Sequence, residues 1–332
     1  MPNPKFSSPF GTETARYEVL TPTAILPGPI DLLTEFLRTL KDSTKKAYKR
    51  DLEDFRAFLK LRNVRQTVNY FVSNGPVLAN TLALRYKDHL MQRGLAPRTI
   101  NGRLSTLRGI TKAGRLVGVI TWWISVQDIR CKGPSRDTRG PGRAGFQRMV
   151  TEAALQQGDR GLRDVAILRL LYDLALRSGE VSSLNIEDVD IENREIRVMG
   201  KGDYQKATLS MPRPTTEALK NWLTVRGGAS KSAPLFVGCT MGGKKTRKRL
   251  SRISMYKVVR LIGKRVGIAT RPHGLRHTAI SEAVRLVQQN GIDLTAVLKF
   301  SRHTNINTLQ FYLDQESGLQ GKIADLVATA SE

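Results

Sequence analysis

Apolar positions between residues 31 and 124 recur at helical spacing. Tyr48, Leu52, Phe55 and Leu59 make one stripe. It predicts a helix from Thr44 to about Leu61, with Ser43 as its N-cap. Pro76 to Gln92 predicts a second helix, stopped by Gly94. Pro97 suits the first turn of a third, running to about Leu116, with Ile100, Leu104, Leu107 and Ile110 available for packing. Further along the pattern changes. An apolar helix is predicted from about Leu162 to Leu176. Short runs at Val189–Ile191, Glu195–Met199 and Lys206–Met211 then read as strands, with turns at Glu192–Arg194 and Gly200–Gln205. Helices are predicted at Thr215–Val225, Ser251–Val266, His273–Gln289, Asp293–Phe300 and, shorter, Ile306–Tyr312. The tail carries an apolar patch at Ile323, Leu326 and Val327.

Two stretches lack such periodicity. Residues 1–30 are rich in Pro, Ser and Thr and read as a flexible tail. Residues 131–146, CKGPSRDTRGPGRAGF, hold four Gly and two Pro among basic residues and read as a semi-extended linker. The expected organisation is a tail (1–30), a helical domain (31–125), a basic linker (126–145) and a second domain with a C-terminal tail (146–332). The expected fold class is mainly α with a small antiparallel β-sheet.

Composition narrows the class. Apolar residues are 40% of the 332, enough for folded cores. The two cysteines, Cys131 and Cys239, exclude a disulfide-rich scaffold or a Cys-rich zinc protein. No run of about 18 apolar residues predicts a membrane span, and no signal peptide is apparent. A cytoplasmic protein with no membrane partner is expected. The net charge is +25, from 54 Lys+Arg against 29 Asp+Glu. The tail is neutral, whereas residues 31–125, 126–149 and 150–332 carry +11, +4 and +10. Basic charge along the whole folded length points to a polyanion such as nucleic acid. Lys45, Lys46 and Lys49 crowd the start of a predicted helix, where the helix dipole disfavours cations, so an external anion explains them better than helix stability does. With Arg98, Arg103 and Arg108 on the third helix they are the candidate DNA contacts.

Candidate chemistry lies in the second domain. In LALRSGEVSSL, Arg177 falls where an apolar helix is expected to end, followed by Glu180. Its fork could hold two phosphate oxygens or simply satisfy the helix end. Lys201 lies in the Gly-Lys-Gly turn, as a mobile donor or a solvated lysine; no P-loop is present. In RPHGLRHT, His273 and Arg276 share a helix face, with His277 expected to point elsewhere. His303 and Tyr312 follow in SRHTNINTLQFYLDQ, where the tyrosine could equally be a packed aromatic. HExxH is absent and the four histidines lack zinc spacing, so no metal is expected. As a set these residues suit phosphodiester cleavage by a tyrosine. That reaction needs cations for the phosphorane, a base for the phenol and an acid for the leaving hydroxyl.

In this order, Arg177, Lys201, His273-x-x-Arg276, His303, Tyr312, the chain resembles the tyrosine recombinase (phage integrase) family over roughly residues 31–315. DSTKKAYKRDLEDFRAFL and RGLAPRTINGRLSTLRGI resemble its core-binding domain. The resemblance implies a helical core-binding (SAM-like) domain and a mixed α/β catalytic domain, in a two-domain enzyme of the Xer-like or integrase type. It also implies that Arg177 and Arg276 clamp the scissile phosphate, Lys201 protonates the 5′-hydroxyl, and His273 is base or proton shuttle. His303 would bond the phosphate, Tyr312 form a 3′-phosphotyrosyl link, and Glu180 orient the pocket. No cofactor is implied. The implied partners are double-stranded DNA recombination sites, a homotetramer joined through a Holliday junction, and accessory DNA-bending or directionality proteins. A type IB topoisomerase or a non-catalytic DNA-binding protein would share much of the pocket. Two departures stand out: FSRH has Arg302 where the family usually has glycine (LGH), and ALRSGE replaces GLRxSE, with Gly179 for a small hydroxyl residue.

Overall fold

The computed structural model describes residues 30–38, 40–130, 140–200, 204–227, 230–239, 245–303 and 319–330. The chain divides into two compact units, one up to Ser135 and one from Arg136. Among the described residues no helix is long and apolar enough to cross a membrane.

The first unit is helical: α1 (Leu32–Arg38), α2 (Asp42–Leu59), α3 (Val64–Ser73), α4 (Gly75–Gln92) and α5 (Pro97–Leu116). The α2 stripe faces inward, with Leu52 and Phe55 buried and Tyr48 and Leu59 packed partly against the same core. Phe55 lies at an aromatic junction, its ring 5.4 Å from Phe71 and 4.9 Å from Tyr86. Helix α2 starts at Asp42, so Ser43 lies within its first turn rather than capping it. The carboxylate of Asp42 suits the positive end of the dipole. Two helices were not separately foreseen. Helix α3 is short, and Asn63 caps it by accepting from the Gln66 amide at 2.8 Å; α1 spans only 7 residues. Gly94 has φ +70°, a left-handed turn that ends α4 without a Cβ clash.

The expected linker is structured at both of its ends. Val126 is buried in the first core. Asn101 and the Ile129 backbone exchange two hydrogen bonds of 2.9 Å, tying residues 126–129 along α5. At the other end Gly142 already begins a helix.

The second unit opens with α6 (Gly142–Ala154), α7 (Asp159–Asp173) and α8 (Ser178–Ser183). A three-stranded antiparallel sheet follows, β1 (Val189–Asp190), β2 (Glu195–Met199) and β3 (Lys206–Ser210), in the order β1-β2-β3. Ile196 and Val198 point into the core while Glu195 and Arg197 face out, the period of two expected of a half-buried strand. Helix α9 (Arg213–Arg226) packs on α7 and buries Trp222, whose indole N–H donates to the Leu235 carbonyl at 3.0 Å. A hairpin, β4 (Val237–Cys239) and β5 (Lys245–Arg249), comes next. The last part comprises α10 (Arg252–Arg265), α11 (Pro272–Gln289), α12 (Thr295–Ser301) and a C-terminal helix, Leu319–Thr329, on which Val327 is exposed. The predicted helix at Ile306–Tyr312 lies outside the described residues, as do the side chains of Ile323 and Leu326.

Candidate active site

Three backbone features of the second unit bring the candidate residues together. Helix α7 ends at Asp173, three residues before the expected end at Leu176. The chain then turns through Ala175, whose φ is +45°. Arg177 is therefore not a helix-end arginine: it is the N-cap residue of α8. Glu180 answers it from the third position of that helix. Its Oε2 accepts from the Arg177 backbone N–H at 2.9 Å, and its Oε1 accepts from the guanidinium at 2.7 Å. Glu180 is buried, whereas the Arg177 side chain is 33% exposed. The carboxylate thus holds the arginine from behind and leaves its outer edge open.

The second feature is the start of α11, which places His273, Arg276 and His277. Arg276 is buried. Its guanidinium donates to the carbonyls of Ala175 and Ser301, and at 3.1 Å to Nε2 of His303. Arginine has no acceptor, so Nε2 of His303 must accept and the ring proton sits on Nδ1. Burial and the nearby Arg276, Arg177 and Arg302 charges push the His303 pKa down to about 4, in keeping with a neutral ring. His277 does not point away from the group: it packs edge-on to His273, ring centroids 5.9 Å apart. Residues four apart on a helix share a face, which the reading of neighbours 276 and 277 overlooked. Burial and its proximity to His273, Arg276 and His303 lower its pKa to about 4. His273 has an exposed edge, yet partial burial and then Arg276, Arg271 and Arg177 hold its imidazole below the usual range. A neutral imidazole can take a proton.

The third feature is the end of α12, where Arg302 adopts φ +54° and turns its side chain inward. It donates to the carbonyls of Leu174 and Ala175 and, at 3.0 Å, to Glu180 Oε2. Sequence reasoning had only a missing glycine as its signal there. At the other departure, a Cβ on Gly179 would make ordinary contact with Arg252 at 3.7 Å, so the site has room for the hydroxyl residue it lacks. Lys201 and Tyr312 lie outside the described residues; the strands that flank Lys201 in sequence pair up to Met199 and Lys206.

The candidate DNA contacts of the first unit divide in two. Lys46, Lys49 and Arg98 are exposed, and Lys45 is partly exposed, 3.7 Å from Asp42. Arg103 is only 13% exposed and pairs with Asp54, which also binds Tyr86 and Arg93. Arg108 is held by Asp128 and the Val126 carbonyl. Arg103 thus ties α5 to α2, and Arg108 ties α5 to the segment that follows it. The β4–β5 hairpin, which the strand reading missed, presents Lys248 and Arg249 at the surface. Among the described residues no group of three or more His, Cys, Asp or Glu side chains is arranged to hold a metal ion.

Three arginines, three histidines and a carboxylate gathered in one part of the second unit are the equipment of a phosphoryl-transfer class. The comparisons with known proteins place the chain within it. The Phage integrase family matches residues 147–317. Tyrosine recombinase slr0733 of Synechocystis sp. is 33% identical over 305 residues, covering 90% of this chain and 95% of that protein. Tyrosine recombinase XerC of Proteus mirabilis is 30% identical over 250 residues, 72% of this chain and 74% of that one. Among solved structures, the fold is similar to the Tn1549 transposon integrase in complex with transposon right end DNA, with TM-score 0.63, 16% identity, and coverage of 91% of this chain and 100% of that one. It is also similar to the XerH site-specific recombinase bound to palindromic difH substrate, with TM-score 0.62, 19% identity, and coverage of 86% and 80%. The chain belongs to the phage integrase family and is a site-specific tyrosine recombinase.

Proposed function

We propose that the protein cuts and rejoins duplex DNA through a 3′-phosphotyrosyl intermediate on Tyr312. The observation that carries this reading is the convergence of Arg177, held by the buried Glu180, with Arg276, His303 and His273. In the proposed step the Tyr312 oxygen attacks the scissile phosphorus and the P–O5′ bond breaks. The phenol proton passes to His273, and Lys201 gives a proton to the departing 5′ oxygen, which leaves as the 5′-hydroxyl. Arg177 and Arg276 neutralise the extra charge on the phosphorane, with His303 bonding a phosphate oxygen. A phenol of pKa about 10 is a poor nucleophile at neutral pH, and the cationic pocket favours its anion. Rejoining is the same step reversed, so the bond energy stays in the protein–DNA ester and no ATP is needed.

Strand exchange proceeds by four protomers on two DNA sites through a Holliday junction, in the cytoplasm, with accessory DNA-bending or directionality proteins as further partners. Lys45, Lys46, Lys49 and Arg98 meet backbone phosphates, while Arg103 and Arg108 brace the surface that presents them. The test is a nicked suicide duplex carrying a recombination site. A covalent protein–DNA adduct that survives denaturation, forms in chelator, and leads to exchange between two duplexes supports the proposal. Relaxation of supercoils without exchange would favour topoisomerase chemistry. Binding with no adduct would leave a DNA-binding protein.

A further inference from the structure

Arg302 stands at a position where an L-residue is out of place. Its φ of +54° belongs to the left-handed region, which glycine occupies without a Cβ penalty. An arginine with no task there would extend into water, its preferred surrounding. Instead its side chain is only 17% exposed and its guanidinium serves three acceptors: the Leu174 carbonyl at 3.1 Å, the Ala175 carbonyl at 3.2 Å and Glu180 Oε2 at 3.0 Å. Burial pulls its pKa down, Glu180 offsets part of that, and Arg177 adds to the cost.

The contacts form one unit. Ala175, the other left-handed residue nearby, lends its carbonyl to both Arg302 and Arg276. Glu180 Oε2 is shared between Arg302 and the Arg177 backbone N–H, and Oε1 goes to the Arg177 fork. The turn that carries Arg177, the carboxylate that holds it and the carbonyl that anchors Arg276 are therefore all tied to one side chain.

We infer that Arg302 is a positioning residue, which fixes Glu180 and the Leu174–Ala175 turn so that Arg177 and Arg276 present their forks to one phosphate. The inference rests on the recombinase reading for its reaction, but its geometry can be tested without it. Arg302→Gly removes the guanidinium and keeps the backbone conformation accessible. Arg302→Lys keeps the charge and the strained backbone but loses the fork. In single-turnover cleavage of the suicide duplex, Arg302→Gly is expected to lose at least about tenfold in rate, with DNA affinity within about twofold of wild type. Arg302→Lys is expected to fall between the two. Combined with Glu180→Gln, Arg302→Gly is expected to cost less than the product of the two single losses, since the two act in part through one shared carboxylate. Wild-type cleavage by both Arg302 variants, or losses that multiply with Glu180→Gln, would overturn the inference.

If the wild-type protein forms no adduct, the recombinase reading falls and side-chain NMR of the arginines decides this inference alone. Guanidinium resonances of Arg177 and Arg276 that are resolved in wild type and averaged by rotation in Arg302→Gly support it. Identical resonances in both proteins overturn it.

Discussion

At the scale of single residues, the structure sorts the charges that the sequence supplies. Arg177 and His303 were legible as chemistry because their types and order suit phosphate. The sequence pointed to Glu180 as a support but left its contacts invisible. Glu180 binds two separate arginines, and Arg302 reaches back across more than a hundred residues of chain to meet it. Burial was equally illegible, and it decides protonation. His277 and His303 have folded pKa values of about 4, against about 6.5 for an unperturbed imidazole. Between those values the unfolded chain binds more protons than the folded one. Stability therefore rises with pH through that window and is lost as pH falls from about 6.5 towards 4. Thermal melts at pH 7 and pH 5 should show a drop in Tm. In His277→Asn that drop is expected to shrink, and an unchanged drop would contradict burial of a neutral ring.

At the scale of elements, long periodic helices were readable and their ends were not. The stripes of α2 and α5 bury the residues that the spacing selected, Leu52, Phe55, Ile100, Leu104, Leu107 and Ile110. Helix α7 stops early because the chain needs a left-handed turn at Ala175 to aim Arg177, a tertiary demand that no local pattern states. The β4–β5 hairpin escaped notice because its second strand, KTRKR, has no apolar residue to alternate. Close packing also hides in glycines. A Cβ added at Gly140 would collide with the Thr278 hydroxyl and the Gly274 carbonyl, both in α11. Gly140→Ala is expected to displace the start of α11, which carries His273 and Arg276. A loss of about 1–3 kcal/mol in stability and a slower cleavage step should follow, with DNA affinity near wild type. Cleavage at the wild-type rate in a folded Gly140→Ala protein would show that α11 tolerates the shift.

At the scale of the whole molecule, a net charge of +25 said only that the partner is a polyanion. The structure shows that part of the positive charge is committed internally, as with Arg103 on Asp54 and Arg108 on Asp128. The exposed remainder sets the salt response. Log affinity for duplex DNA is expected to fall linearly with log salt, and Lys46→Ala or Lys49→Ala to reduce the slope by about 1 each. Arg103→Ala should act instead through stability, because it strips the partly buried Asp54 of one of its cationic partners. A salt-independent affinity would contradict phosphate binding by both basic units. The central claim concerns one bond. The most direct test is to trap the adduct on suicide DNA, digest both components and identify the modified peptide by mass spectrometry. The account predicts a nucleotide joined through its 3′-phosphate to Tyr312, and no adduct from Tyr312→Phe. A nucleotide on any other residue, or an undiminished adduct in Tyr312→Phe, would contradict it.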